Sequence, residues 1–168
     1  MNKATKVALA VFVVLIAVAV PLYYFTRPDA TQPTDTLQIK GSANNPLTLT
    51  LAQLEALPST TQQVTISSSG RPQDDGIFNY TGVLLRDLLN QAQISSNASS
   101  IYIQASDGYG TTITLQDAQN QKTFIAYQKD GQPLTLLKDG GEGPLRLIIG
   151  SDTYAQRWVR GIVSIDVS

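Results

Sequence analysis

Hydrophobic positions along this chain fall into three regimes. The first is an unbroken apolar run without charge, Val7 to Phe25, VALAVFVVLIAVAVPLYYF. At ~1.5 Å per residue a helix of that length crosses a hydrocarbon core of about 30 Å. Lys3 and Lys6 precede the run, so the positive-inside rule keeps the short N-terminus in the cytoplasm and exports the rest. Tyr23, Tyr24 and Phe25 stand where an interfacial aromatic belt lies. Residues 1–25 therefore read as an N-terminal transmembrane helix, a signal-anchor. The competing reading is a signal peptide cleaved after the small-x-small triplet Ala17-Val18-Ala19. Either way the remainder leaves the cytoplasm and works on the cell surface or in the periplasm.

The second regime, residues 26–35, has no apolar period: Arg27 to Asp35 reads RPDATQPTD, a Pro/Thr/Asp linker. The third, residues 36–168, alternates short strand patterns with short helical ones. Thr36–Lys40 (TLQIK) alternates like an edge strand, and Pro46–Thr50 alternates again. Thr50 then stands as a helix N-cap. Gln53 at N3 completes a capping box, and Leu49 and Leu54 form the hydrophobic staple of a helix ending at Leu57-Pro58. Gln63–Ser67 reads as a strand, followed by a polar loop from Ser68 to Phe78. Gly82–Gln91 carries Leu84, Leu85, Leu88 and Leu89 at helical spacing. Strands follow at Ile101–Ala105 and Thr111–Leu115, then a helical turn at Gln116–Asn120 and a strand at Thr123–Gln128. Lys129-Asp130-Gly131-Gln132-Pro133 is a turn, and Leu145–Ile149 and Trp158–Val167 close the chain as strands. The expectation is an α+β domain on a mixed β-sheet.

Composition narrows the chemistry sharply. The chain has no cysteine and no histidine. Disulfides, Fe–S clusters, thiolate–metal sites, cysteine nucleophiles and a lipidated cysteine are thereby excluded. Ser–His–Asp hydrolysis and His-based zinc chemistry go with them. A net charge of −1 with 15% charged residues offers no basic patch for nucleic acid. Asp74-Asp75 with Asp107 lack the dense oxygen pattern that calcium needs, and Ser67–Gly70 lacks the glycine spacing and lysine of a P-loop. Asp130, Asp139 and Glu142 lie among glycines and read as turn formers. Asn79-Tyr80-Thr81 and Asn97-Ala98-Ser99 are glycosylation sequons on polar loops, with Asn79 and Asn97 the acceptors in a host that has the machinery.

Several segments resemble, in order, one known family. Asn45-Pro46-Leu47-Thr48-Leu49 runs into a helix ending in Leu-Pro. Tyr80-Thr81-Gly82-Val83-Leu84-Leu85-Arg86-Asp87-Leu88-Leu89 is followed by the turn Ser106-Asp107-Gly108-Tyr109. Ala126-Tyr127 precedes Gly131-Gln132-Pro133-Leu134. Gly143-Pro144-Leu145-Arg146-Leu147-Ile148 and Arg157-Trp158-Val159 complete the series. From Pro46 to Val167 the chain resembles the sulfite-oxidase-type molybdopterin-binding domain. That resemblance implies the family's fold and an oxidoreductase ancestry, with molybdenum held through a cysteine at the end of the strand after the first helix.

Here that strand end reads Ser67-Ser68-Ser69-Gly70-Arg71, with Ser67 at the cysteine position and Ser68 or Ser69 there after a small shift in register. A serine hydroxyl is a much poorer anionic ligand than a thiolate. The family's longer loop after the penultimate strand, which brings amides and basic side chains to the pterin phosphate, is shortened here to Gly150–Arg157. Arg157 stands at the family's Lys-before-Trp position; the plainer reading is a surface arginine stacked on an aromatic ring. Ser67, Arg71, Tyr109 and Arg157 are the candidate cofactor-binding residues, and Tyr109 either lines a pocket or caps a sheet edge. No catalytic residue, metal ligand or cofactor is expected, with molybdopterin as the alternative.

Three functions compete. The first is a non-catalytic module that binds a small molecule or a protein in the old pterin cleft or along a sheet edge. The second is an oxidoreductase, or a subunit of one, with molybdenum ligated without cysteine. The third is a cell-surface structural protein whose TLQIK strand augments a neighbour's sheet.

Overall fold

The computed structural model describes residues 36–68 and 75–168, which fall within one compact unit. The transmembrane helix and linker expected over residues 1–35 lie outside the described residues, as do Ser69, Gly70, Arg71 and Asp74. Among the described residues no helix is long and apolar enough to cross a membrane.

Alternating side chains build the first sheet. Its strands are β1 (Thr36–Gly41), β2 (Leu47–Thr50), β5 (Ser100–Ala105), β6 (Gly110–Thr114) and β10 (Ile162–Val167). They lie in the order β2-β1-β10-β5-β6, with β1 and β10 parallel and the other pairs antiparallel. The period-two pattern buries Leu37, Ile39, Ile101, Ile103, Ile113, Ile165 and Val167 on one face. The alternation in TLQIK is real, but β1 is no edge strand. β10, from the far end of the chain, covers its second side, so β2 and β6 flank this sheet.

The second sheet is antiparallel. It runs β3 (Thr60–Ile66), β4 (Gly76–Leu84), β7 (Thr123–Lys129) and β8 (Gln132–Pro133), with β9 (Arg146–Ile149) also paired to β7. The segments TFIAY of β7 and RLII of β9 are buried throughout, because both of their faces are covered. Helices α2 (Leu85–Gln91) and α3 (Leu115–Gln119) pack on β7 and insert Leu85, Leu88, Leu89 and Ala118 into one continuous core. The mixed sheet expected from the sequence is the first of these two sheets; the second is wholly antiparallel, and the two share one core.

Helix α1 (Leu51–Glu55) begins as its sequence dictates. Thr50 Oγ1 accepts from Gln53 N and the Gln53 side chain accepts from Thr50 N, a complete capping box. The helix expected from Gly82 starts only at Leu85. Gly82, Val83 and Leu84 instead finish β4, opposite Ala126, Ile125 and Phe124. At Gly82 the ladder bulges, and a Cβ there would stand 2.1 Å from the Ile125 carbonyl oxygen, so only glycine allows the two backbones this close.

Candidate functional site

The end of β3, the β5–β6 turn and the segment between β9 and β10 converge on one cavity. Leaving β3, Ser67 is half-buried, and its carbonyl accepts from Ala155 N at 3.1 Å. Ser68 N donates to the Asp75 carboxylate at 2.6 Å, closing the neck of the following loop. In the β5–β6 turn, Asp107 Oδ1 accepts from Tyr109 N at 2.9 Å, and Gly108 takes φ +88° so that the chain reverses. The Tyr109 hydroxyl then reaches across to donate to the Gln156 carbonyl at 2.9 Å. These four ties border a cavity of about 580 Å³ whose lining includes Ser68, Asp107, Tyr109, Gln156, Trp158 and Arg160.

Of the residues singled out from the sequence, Tyr109 lines this cavity and is not a mere edge cap. Ser67 stands next to it, contributing its backbone tie, while its neighbour Ser68 is in the wall. Arg71 lies outside the described residues. Arg157 is elsewhere. It grips Asp152 with both arms of its fork, Nε to Oδ2 at 3.1 Å and Nη2 to Oδ1 at 2.5 Å, and reaches Asp117 on α3 with Nη1 at 2.9 Å. The hydrogen bonds that Arg157 donates to Asp152, then the one to Asp117, hold the guanidinium even more firmly protonated than usual, and the bond accepted from Arg157 holds Asp117 below the ordinary carboxylate range. The surface arginine stacked on an aromatic ring is thus a two-carboxylate clamp, because Asp152 comes from the shortened loop itself.

A second group was missed from the sequence. Glu142 is no simple turn former. Its Oε2 accepts from the Tyr80 hydroxyl at 2.8 Å and from Arg146 Nη1, and its Oε1 accepts from Lys129 Nζ at 3.3 Å. Arg146 is 1% exposed, also donates to Tyr80 Oη at 2.8 Å, and lies against the Tyr80 and Trp158 rings. Burial alone would raise the Glu142 carboxyl, yet the charge of Arg146, the bonds from Tyr80 and Arg146, and the charge of Lys129 outweigh it and hold it below its usual value. A cavity of about 350 Å³ opens beside this cluster, sharing Gly140, Gly141 and Arg160 with the first. An arginine in a strand-like RLII run was the one available signal, since an unpaired charge is almost never fully buried.

Asn97 sits on an exposed turn as the sequence suggests, and Asn79 does not sit on a loop. Asn79 is exposed but lies within β4, its N–H bonded to Asp130 Oδ1 and its carbonyl to Asp130 N. Asn97 is exposed in the turn before β5. Among the described residues no three His, Cys, Asp or Glu side chains gather as a metal site.

Comparison with known proteins gives three findings. Residues 24–168 match the model of the oxidoreductase molybdopterin binding domain. Over 129 residues the chain is 26% identical to the uncharacterized oxidoreductase YuiH of Bacillus subtilis (strain 168), covering 75% of this chain and 63% of that protein. It superimposes on the sulfane dehydrogenase SoxCD of Paracoccus pantotrophus with a TM-score of 0.69 at 18% identity, over 79% of this chain and 37% of that one, a likeness of fold. The chain thus spans less than two thirds of each relative.

Proposed function

We propose a function from one premise: the chain belongs to the oxidoreductase molybdopterin binding domain family. Within that family it acts as a non-catalytic binding module, tethered by its N-terminal apolar run and presenting the family's cleft outside the membrane. The observation that carries this reading is the Asp117–Arg157–Asp152 clamp. Arg157 is the cation that the resemblance sets toward the pterin phosphate, and two carboxylates of this same chain already neutralise it.

The donor set does not fit a protein-held molybdenum. Ser67 stands at the ligand position, the chain has neither cysteine nor histidine, and a hydroxyl holds its proton far more tightly than a thiol does. No chemical step is therefore routed through the metal. What persists is the cleft, with Tyr109 and Trp158 as aromatic wall, Ser68 and Gln156 as neutral polar groups, and Asp107 and Arg160 of opposite charge. Such a lining suits a polar organic ligand or a partner's loop.

Metal and pterin analysis of natively produced, membrane-extracted protein tests the reading. The expected result is molybdenum and tungsten far below one atom per chain, with no sulfite oxidation. One metal per chain, lost in Ser67→Ala, would overturn it in favour of an oxidoreductase. Fractionation tests the tether separately: the chain should stay with membranes in high salt and leave them in detergent. A soluble form beginning near Val20 would establish cleavage instead.

A further inference from the structure

Strand β3 lies at an edge of the second sheet. β4 pairs with one of its sides without a break from Thr60–Gly82 to Ile66–Gly76, and among the described residues no strand lies along the other side. Two bonds show which backbone groups face outward. Asn79, directly opposite Gln63, turns its carbonyl to Asp130 N at 2.7 Å, on the β7 side. Gln63 and Asn79 therefore exchange no backbone bonds. Further along, the Ser67 carbonyl leaves the sheet to accept from Ala155 N at 3.1 Å. Both bonds fix the same alternation, in which the N–H and C=O groups of Thr61, Gln63 and Thr65 point away from β4. Among the described residues none of these six groups has a partner.

Sheet edges are commonly blunted by shortness, a charge, a proline or a bulge. β3 has seven residues, no charge, no proline and an unshifted register. The strands at the other edges are shorter, with four residues in β2, five in β6 and two in β8. Open space also lies along β3. A hollow of about 360 Å³ has Gln62 to Thr65 on one side and Lys122, Asp152 and Thr153 on the other. A second, of about 590 Å³, shares Gln62 and Lys122 with it and extends to Thr60 and Leu84. Neither shares a lining residue with the cavity at Tyr109. Asp152 is already held by Arg157, whereas the Lys122 ammonium group is in no ion pair among the described residues.

We propose that β3 accepts a lone extended peptide, a tail or linker of a partner chain, which adds a strand to the second sheet along Thr61–Thr65. Alternation sets the chemistry of that peptide. On the side of Val64, Leu84 and Lys122 it carries β-branched apolar residues and one acidic residue. On the other side, beside the exposed Thr61, Gln63 and Thr65, it carries uncharged polar residues. A second copy of this chain fits less well. Its β3 would arrive with β4 already attached, needing roughly 9–10 Å for two strands, where Asp152 and Thr153 border the edge at Thr65. A single strand needs half that width. The surface is separate from the cleft and independent of what the cleft binds.

The test is amide hydrogen exchange, read by NMR on the full-length protein in detergent, with acetyl-Thr-Val-Thr-Glu-Thr-Val-Thr-amide as the probe. In the free protein the amides of Thr61, Gln63 and Thr65 should exchange fast, and those of Gln62 and Val64 slowly. Saturating peptide should slow the first three about tenfold and leave β10 unchanged. Gln63→Pro removes an outward N–H and no bond to β4, so it should weaken binding about tenfold while Gln62 and Val64 stay protected. If proline unsettles β3, the exposed Lys122→Glu decides, with an expected loss of about threefold. The proposal is overturned by binding that does not saturate, by protection without the two-residue period, or by unchanged affinity in Lys122→Glu or in a folded Gln63→Pro. Slow exchange of the three amides without peptide also overturns it. If that protection is independent of protein concentration, the chain covers its own edge; if it grows with concentration, a second copy is the occupant.

Discussion

Replacing Glu142 by glutamine keeps its shape and removes its charge, which isolates what a sealed guanidinium costs. Arg146 would lose the only carboxylate partner it has among the described residues while remaining in the core. Breaking a buried pair from one side costs roughly 3–5 kcal/mol, because the surviving charge is left uncompensated. Glu142→Gln should lose about that much in urea unfolding. Tyr80→Phe leaves the Arg146–Glu142 pair intact and removes one hydroxyl, so it should lose only ~1–3 kcal/mol; equal losses would mean that the phenol, not the charge pair, organises the cluster. The same residue gives a pH signature. Glu142 ionises at lower pH in the folded chain than in the unfolded one. Its contribution is therefore full above the ordinary glutamate value of about 4.3 and is lost as pH falls through the lower folded value. Wild-type stability should drop in acid below that range, and the drop should be shallower in Glu142→Gln. Asp117 has the same sign, but solvent and salt screen its half-exposed pair to a smaller effect. Apart from the arginine in RLII, none of this was legible locally: Glu142 looks like part of a glycine turn, and its partner Tyr80 lies 62 residues away.

At the level of elements, local chemistry was legible where it decides alone and misleading where pairing competes. The Thr50–Gln53 capping box is complete within four residues, and the sequence reading of it holds. Thr50→Ala should cost ~1 kcal/mol by thermal or urea unfolding. A change below the noise of that measurement would mean that packing of Leu54 alone holds α1 in place. The start of α2 was misjudged because Leu84 fits both a helical stripe and a strand position opposite Phe124. The ladder to β7 wins, since it buries Val83 and places Gly82 against the Ile125–Ala126 backbone. Gly82→Ala tests that contact. Its methyl would have to displace backbone, so the loss should exceed the ordinary ~1–3 kcal/mol of an overpacked core, and a near-neutral result would show that the bulge can move. The TLQIK strand illustrates the other limit. Alternation reports which face is wet, but not who lies alongside, and the parallel partner β10 sits more than a hundred residues downstream.

At the scale of the whole molecule, family membership was readable because several junction motifs recur in order, while the split into two sheets was not, since it depends on pairings distant in sequence. The proposed absence of cofactor chemistry was half readable. The missing thiol is plain in the composition, but the neutralising of Arg157 by Asp117 emerges only when α3 packs beside the shortened loop. On the proposed reading, that second half predicts that restoring the thiol is insufficient. Ser67→Cys supplies a thiolate candidate at the strand end, yet it leaves Arg157 held by two carboxylates and the loop after Ile149 just as short. The variant, produced in a host that makes the pterin cofactor, should therefore fold, carry no stoichiometric molybdenum and oxidise no sulfite. Combining it with Asp117→Asn and Asp152→Asn frees the guanidinium, and any gain in bound pterin should appear only in that triple variant. Full metal loading of Ser67→Cys by itself, measured per chain, would show that the thiol was the sole lesion and that the clamp is incidental.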